Sequence, residues 1–187
     1  MSVFSRGCSA FFLALLLLSV DSSMAASPVS RNDRRVSNDG FEEEENKPWV
    51  EGEVQFPDFP ELENLIPFRV GAVDDIQYAI DSKSLSVTND GVVRFTLVVT
   101  SSAGAQSISY EGIRCGTGER RYYASGRSDK TWSNARNSQW VKIKAVSNSH
   151  HLELFSNYFC VFGKSPVFSA EEAIRALRSG GNSRSSR

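Results

Sequence analysis

Hydrophobic and polar residues alternate with a period of two through the middle of this chain. The most regular run is Val92–Thr100, where Val93, Phe95, Leu97 and Val99 share one parity and Arg94, Thr96 and Thr100 the other. That alternation predicts a strand with one face on a core and one face in water. Similar short runs, rich in β-branched and aromatic residues, occur at Phe68–Val73, Gln77–Ile80, Leu85–Val87, Ser107–Cys115, Arg120–Ser125 and Gln139–Ala145. Turn signals separate them, which predicts an antiparallel meander. Asn89-Asp90-Gly91 is the strongest hairpin signal, because Gly91 supplies the positive φ that a tight reversal needs. In Ser107–Cys115 the parity changes, with Ile108 and Tyr110 in one phase and Ile113 and Cys115 in the other. A bulge at Gly112 would return Ile113 and Cys115 to the buried side.

Two later segments switch to helical spacing. In Asn148–Cys160, His151, Leu154, Phe155 and Tyr158 follow an i, i+3, i+4, i+7 pattern, so this segment is expected to cover the sheet and to end at Cys160. The second helix is framed by Ser169 and Glu172 as a capping box and by Gly180 as its stop, with Ala170, Ala173, Ile174 and Leu177 as the apolar stripe. Arg175 and Arg178 suit its C-terminal end. Before the sheet, Phe56, Phe59, Leu62, Leu65 and Ile66 are interleaved with Pro57, Pro60 and Pro67. The prolines forbid a helix while the aromatics call for burial, which predicts an extended strap across the core. The expected fold class is α+β: an antiparallel meander covered by one or two helices.

The N-terminal pattern is different again. Arg6 precedes an apolar run from Ala10 to Val20, followed by Ser23, Ala25 and Ala26. This reads as an export signal over residues 1–26, with cleavage after Ala25 or Ala26. The run is too short for a membrane span, and the expected mature product has none. Asp21, Ser22 and Ser23, not a cysteine, come right after the apolar run, so a lipid anchor is not expected; a periplasmic or secreted product is. Residues 27–47 are nearly free of large apolar side chains and include Glu42-Glu43-Glu44-Glu45, the composition of a disordered acidic leader. Residues 48–180 form the single domain, and 181–187 read as a loose basic tail. Net charge is −1 overall, yet Ser27–Ile66 carries 11 acidic and 4 basic residues while Pro67–Arg187 carries 10 acidic and 16 basic. An acidic segment therefore leads a basic domain.

Removing the signal removes Cys8, and Cys115 and Cys160 remain. Two cysteines in an oxidising compartment read as one disulfide, here tying helix to sheet. That disulfide is preferred over a Cys115 thiol nucleophile served by His150 or His151. His150, His151 and Glu153 do not have metal-ligand spacing, since adjacent helical residues point about 100° apart. A surface histidine beside a core one is expected instead. Gly163-Lys164-Ser165 lacks the first glycine of a phosphate loop, and Gly116-Thr117-Gly118 reads as a hairpin turn. No catalytic residue, metal or cofactor is assigned.

One cluster of candidate binding chemistry is left. Arg114, Arg120, Arg121, Tyr122, Tyr123, Arg127, Lys130, Trp132, Arg136, Trp140, Lys142 and Lys144 interleave cations with aromatics. Arg114, Arg121, Arg127, Arg136 and Trp132 are the candidate face for an anionic partner. Arginines lining a wet edge strand to deter aggregation are the alternative. A nucleic-acid partner is not expected, because the chain as a whole is not basic.

Glu63-Asn64-Leu65-Ile66-Pro67-Phe68, Asp90-Gly91-Val92-Val93-Arg94-Phe95-Thr96-Leu97, Tyr110-Glu111-Gly112-Ile113-Arg114-Cys115, Ala135-Arg136-Asn137-Ser138-Gln139-Trp140 and Tyr158-Phe159-Cys160 resemble the CNP-one-like family of exported proteobacterial proteins. The resemblance covers Trp49 to Gly180, and it implies no activity because that family has none assigned. The order of elements is also similar to surface-adhesin protein E domains, in which a disulfide tethers a helix to an antiparallel sheet. The expected function is a non-enzymatic binding or interaction protein of the cell envelope, with an envelope or extracellular partner. The alternatives are a periplasmic enzyme with unmarked catalytic residues, and a structural or assembly factor.

Overall fold

A computed structural model describes residues 48–71, 75–144 and 149–184. The expected signal at 1–26, the leader at 27–47 and the last three tail residues lie outside the described residues. The alternating runs form a seven-stranded sheet. Its strands are β1 (Leu65–Phe68), β2 (Ile76–Val87), β3 (Val92–Ser101), β4 (Gln106–Arg114), β5 (Glu119–Gly126), β6 (Trp132–Asn134) and β7 (Val141–Lys142). The order is β1-β2-β3-β4-β5-β6, every pair antiparallel, with β7 pairing the other end of β5. The meander is therefore as expected, and Gly91 turns its β2–β3 hairpin with φ 77°.

Three local expectations change. Gln77–Ile80 and Leu85–Val87 belong to one strand, β2, whose register against β3 shifts between Asp81 and Ser86. Asp81 closes that bulge by accepting from the Ser84 amide at 3.0 Å, and the Ser84 hydroxyl accepts from the Thr96 amide at 2.8 Å. These side chains replace the interrupted ladder bonds. Second, β3 and β4 pair without a break from Val92↔Arg114 to Thr100↔Gln106, so there is no bulge at Gly112. The irregularity lies between β4 and β5, where Tyr123 is the extra residue between the pairs Tyr110↔Ala124 and Glu111↔Tyr122. Third, Gln139–Ala145 yields only the two-residue β7, while Trp132–Asn134, not anticipated, is a strand.

The parity change in β4 has a simpler cause than a bulge: both faces of the sheet are covered. On one face Ile80, Val93, Phe95, Leu97 and Ile113 pack with Leu154, Phe159, Ala173 and Leu177. On the other, Tyr110, Tyr123 and Ala124 pack with Val54, Trp132 and Trp140. The supposedly wet side of β3 is dry, with Arg94 2 % and Thr96 0 % exposed. The proline-rich strap crosses this second face as far as Phe59, where it covers Arg94. Its expected end, Leu65 and Ile66, instead belongs to β1, which replaces the strand expected from Phe68 onward and places Ile66 and Phe68 in the main core.

The first helical segment begins as α1 (His150–Glu153), capped by the Ser149 hydroxyl, and continues as a π-helical stretch, Leu154–Phe159. The wider turn brings Leu154, Tyr158 and the adjacent Phe159 all into the core, which an α-helical repeat would not do. Cys160 starts a small hairpin, β8 (Cys160–Val161) and β9 (Ser165–Pro166). Helix α2 (Ala170–Ser179) matches expectation closely: Ser169 accepts from the Glu172 amide at 3.3 Å, and Gly180 closes the helix at φ 79°. Of the residues expected as a tail, Asn182 donates its backbone amide to the Asn157 carbonyl at 2.5 Å, and Arg184 forms an ion pair with Glu172.

Cys115 and Cys160 are disulfide-bonded, with Cα atoms 5.5 Å apart and a sequence separation of 45. The bond joins the end of β4 to the segment covering the sheet. Closing a loop of that length is worth on the order of 4 kcal/mol in the chain-entropy description. Cys115→Ser should lower unfolding free energy by about 2–5 kcal/mol in denaturant titrations, and oxidised protein lacking residues 1–26, and so Cys8, should show no thiol reactive to alkylation.

Candidate functional site

The second face of the sheet is built around one carboxylate. Glu51, on the strap, receives hydrogen bonds from the Tyr123 hydroxyl at 2.5 Å, Trp140 Nε1 at 3.1 Å and Arg94 Nη2 at 3.4 Å, and a close ion pair from Arg121 Nη1. Arg94 comes from β3, Arg121 and Tyr123 from β5, and Trp140 from the segment before β7. Alternation along the strands aims all three strand residues at this face. Arg121 and Tyr123 share it, being two residues apart. Charge-assisted bonds of this kind are roughly twice as strong as neutral ones.

The two guanidiniums also have partners other than Glu51. Arg94 Nη2 pairs with Asp90 at 2.7 Å, and its Nη1 donates to Thr88 Oγ1 at 2.5 Å. Arg121 Nε donates to Ser138 at 2.9 Å. Burial by itself would raise the Asp90 carboxyl, but bonds from Arg94, Thr88 and the Gly52 and Val92 amides hold it well below the carboxylate range. Burial, reinforced by Glu51, pushes Tyr123 well above the phenol range, so its hydroxyl stays a donor. Arg94 Nε is buried with no partner among the described residues.

Strap and sheet meet through further side chains. Trp49 Nε1 donates to the Asp90 carbonyl at 2.7 Å, its ring meets Trp140 edge-on at 5.8 Å, and the Arg114 guanidinium lies 3.8 Å from its centroid. Trp132 Nε1 donates to the Pro57 carbonyl at 2.8 Å, and Trp132 packs against Phe56 and Phe59. Gly112 and Gly126 leave the necessary space. A Cβ on Gly112 would sit 2.7 Å from the Tyr123 hydroxyl, and one on Gly126 2.9 Å from Phe59.

The sequence-predicted face is thus divided. Arg114, Arg121 and Trp132 are engaged by the strap, whereas Arg127 and Arg136 are exposed, Arg127 donating to Ser133 at 3.0 Å. Glu51 and Arg94 were not among the candidates. The available signal was a lone arginine in the middle of the most apolar strand, which only a covered face explains.

The opposite face holds a second polar group. Glu111, 3 % exposed, accepts from Ser109 at 2.6 Å and lies 2.6 Å from His151 Nε2. His150 stacks on Tyr78 at 5.1 Å and lies 4.0 Å from His151. Neither histidine is the expected surface residue; both are half-buried. Burial works against Glu111 ionisation, but His151 and Ser109 outweigh it and lower its pKa. Burial, with the neighbouring His151, depresses His150 from 6.5 to about 4, against the pull of Glu111. Ser109 and His151 both bond Glu111, so this is not a nucleophile–base–orienter chain. No group of three or more His, Cys, Asp or Glu among the described residues is arranged to hold a metal ion.

Other candidates take ordinary places. Gly163 and Lys164 form the tip of the β8–β9 hairpin, with Phe162 at φ 52° and Gly163 at φ 63°. Gly118 turns β4 into β5 by donating to the Arg114 carbonyl at 3.0 Å. An open depression of about 1000 Å³ beside α2 is lined by Glu153, Glu172, Arg175 and Arg184 among others.

Two variants test these environments. His150 faces Tyr78, His151, Glu111 and Arg120. Because its folded pKa lies below the unfolded value, the unfolded chain takes up the proton first, and stability falls as pH drops from about 6.5 to about 4. His150→Gln should flatten that interval in thermal melts recorded against pH. Gly112→Ala should cost about 1–3 kcal/mol by displacing Tyr123, visible in denaturant titrations.

A family model described as the CNP1-like family matches residues 44–178. Searches of curated proteins and of solved structures found no match. The matched span covers most of the sequence and contains the strap, the sheet, the disulfide and nearly all of α2. The chain belongs to the CNP1-like family.

Proposed function

We propose that this protein is a non-enzymatic binding module that acts outside the cytoplasm, periplasmic or secreted, and engages a carboxylate-bearing partner through the second face of its sheet. The observation that carries the reading is the set of four donors converging on Glu51. Two guanidiniums, a phenol and an indole in a half-buried setting bind and orient a carboxylate but offer it no nucleophile. Arg127 and Arg136, exposed on the same β5–β6 side of the domain, extend the cationic surface and favour encounter with an anionic partner. The export signal expected at residues 1–26 and the disulfide both suit an oxidising compartment.

Fluorescent poly-L-glutamate is a direct probe. Glu51→Ala vacates the receptor and should bind it about tenfold more tightly than wild type at low salt, roughly the value of one charged hydrogen bond. Adding Arg121→Glu should abolish that gain, and rising salt should weaken binding steeply. Equal anisotropy titrations for all three proteins, each shown folded by its melting transition, would defeat the reading.

A further inference from the structure

The segment that fills the receptor is bound as a peptide ligand is bound. Residues 48–60 make no backbone-to-backbone hydrogen bond to the sheet among the described residues. They are held by an indole, a carboxylate, one amide and a row of rings. Gly52 donates its amide to Asp90 at 2.9 Å, where a Cβ on Gly52 would sit 3.2 Å from the same carboxylate. Trp49, Glu51, Gly52, Phe56 and Phe59 therefore each have a distinct seat. The walls of those seats belong to β3, β4, β5, the Asp90 turn and the Trp132–Trp140 segment. The partners of Arg94 and Arg121 described above, Thr88, Asp90 and Ser138, do not belong to the strap. At the far end of the strap, Leu62 is 80 % exposed in a single 3-10 turn before β1, so the connection there is not packed into the core.

Resting on the carboxylate-binding reading, we infer that this face is a recognition site for an extended protein segment with the pattern Trp-x-Glu-Gly followed by paired phenylalanines. The chain's own residues 49–59 are its resident ligand. A partner segment with this pattern binds by displacing the strap, so the strap sets the threshold for binding. Intrachain competition of this kind scales apparent affinity down to the fraction of time the site is free. Specificity divides between two ends. The indole and carboxylate seats choose the polar end through fixed donors, and Trp132 with Gly126 chooses the aromatic end by shape.

The test uses the full chain with a specific protease site inserted between Pro60 and Glu61, beside the exposed Leu62. After cleavage the strap fragment should remain associated, and an excess of synthetic peptide 48–61 should chase it off. The same peptide with Trp49→Ala and Glu51→Ala should chase at least about tenfold less well, a factor set by loss of one charged hydrogen bond. In the uncut chain, Trp49→Ala/Glu51→Ala should bind labelled wild-type peptide at least about tenfold more tightly than wild type does. Loss of the melting transition on cleavage would overturn the inference, because the site would then need its strap to exist. Equal chasing by both peptides would overturn it too. If cut protein still binds poly-L-glutamate in that last case, carboxylate binding stands and only the peptide pattern falls.

Discussion

Arg94 is a charge in the middle of a strand that is buried on both faces. A guanidinium there is tolerable only if opposite charge and hydrogen bonds reach it, since an isolated buried charge costs several kcal/mol. Asp90 supplies the first partner from the turn four residues back, and the Tyr123 ring lies 5.8 Å from the guanidinium carbon. Glu51 supplies the second partner from the strap. Once Glu51 is in place it also serves Arg121, Tyr123 and Trp140, and β3, β5 and the Trp132–Trp140 segment become one assembly. The strap's course, the glycines at 112 and 126 and the aromatic seats all follow from covering this one charge.

The two faces are held by different physics. The helix face is a hydrophobic core closed by the disulfide, with Phe95 on Phe159 at 5.1 Å and Cys115 beside Cys160. Its buried polar group is Glu111, bonded by Ser109 and His151. The strap face is polar and aromatic, and its contacts are made between side chains. Contacts of that kind can be exchanged one ligand for another without breaking a ladder. For that reason the proposed binding falls on the strap face, while the helix face carries the disulfide-closed core.

Patterning was a good guide wherever a single period governed a segment. The alternation in Val92–Thr100, the Asp90-Gly91 turn, the Ser169/Glu172 box, the Gly180 stop and the Cys115–Cys160 pair all read directly from local chemistry. Patterning misled where a residue answered to two neighbours at once. Ile108 and Tyr110 were assigned to the core of Ile113 because one buried face was assumed, although Tyr110 packs on Trp132 and Tyr123 beneath the strap. The interruption at Asp81–Ser84 looked like a turn because a bulge closed by side chains has the same composition as a loop.

What the sequence determined by itself was the meander, helix α2 and the Cys115–Cys160 bond, since propensity, turn chemistry and cysteine count act over a few residues or depend on compartment alone. Only the tertiary structure decided that the sheet has no wet face, that Glu51 rather than the arginine run organises the candidate site, and that the histidines belong to Glu111. Each of these joins residues 40 or more positions apart, such as Glu51 with Arg121 and Glu111 with His151. No local period encodes such a meeting. It is fixed by which charges the packed sheet would otherwise leave unpaired.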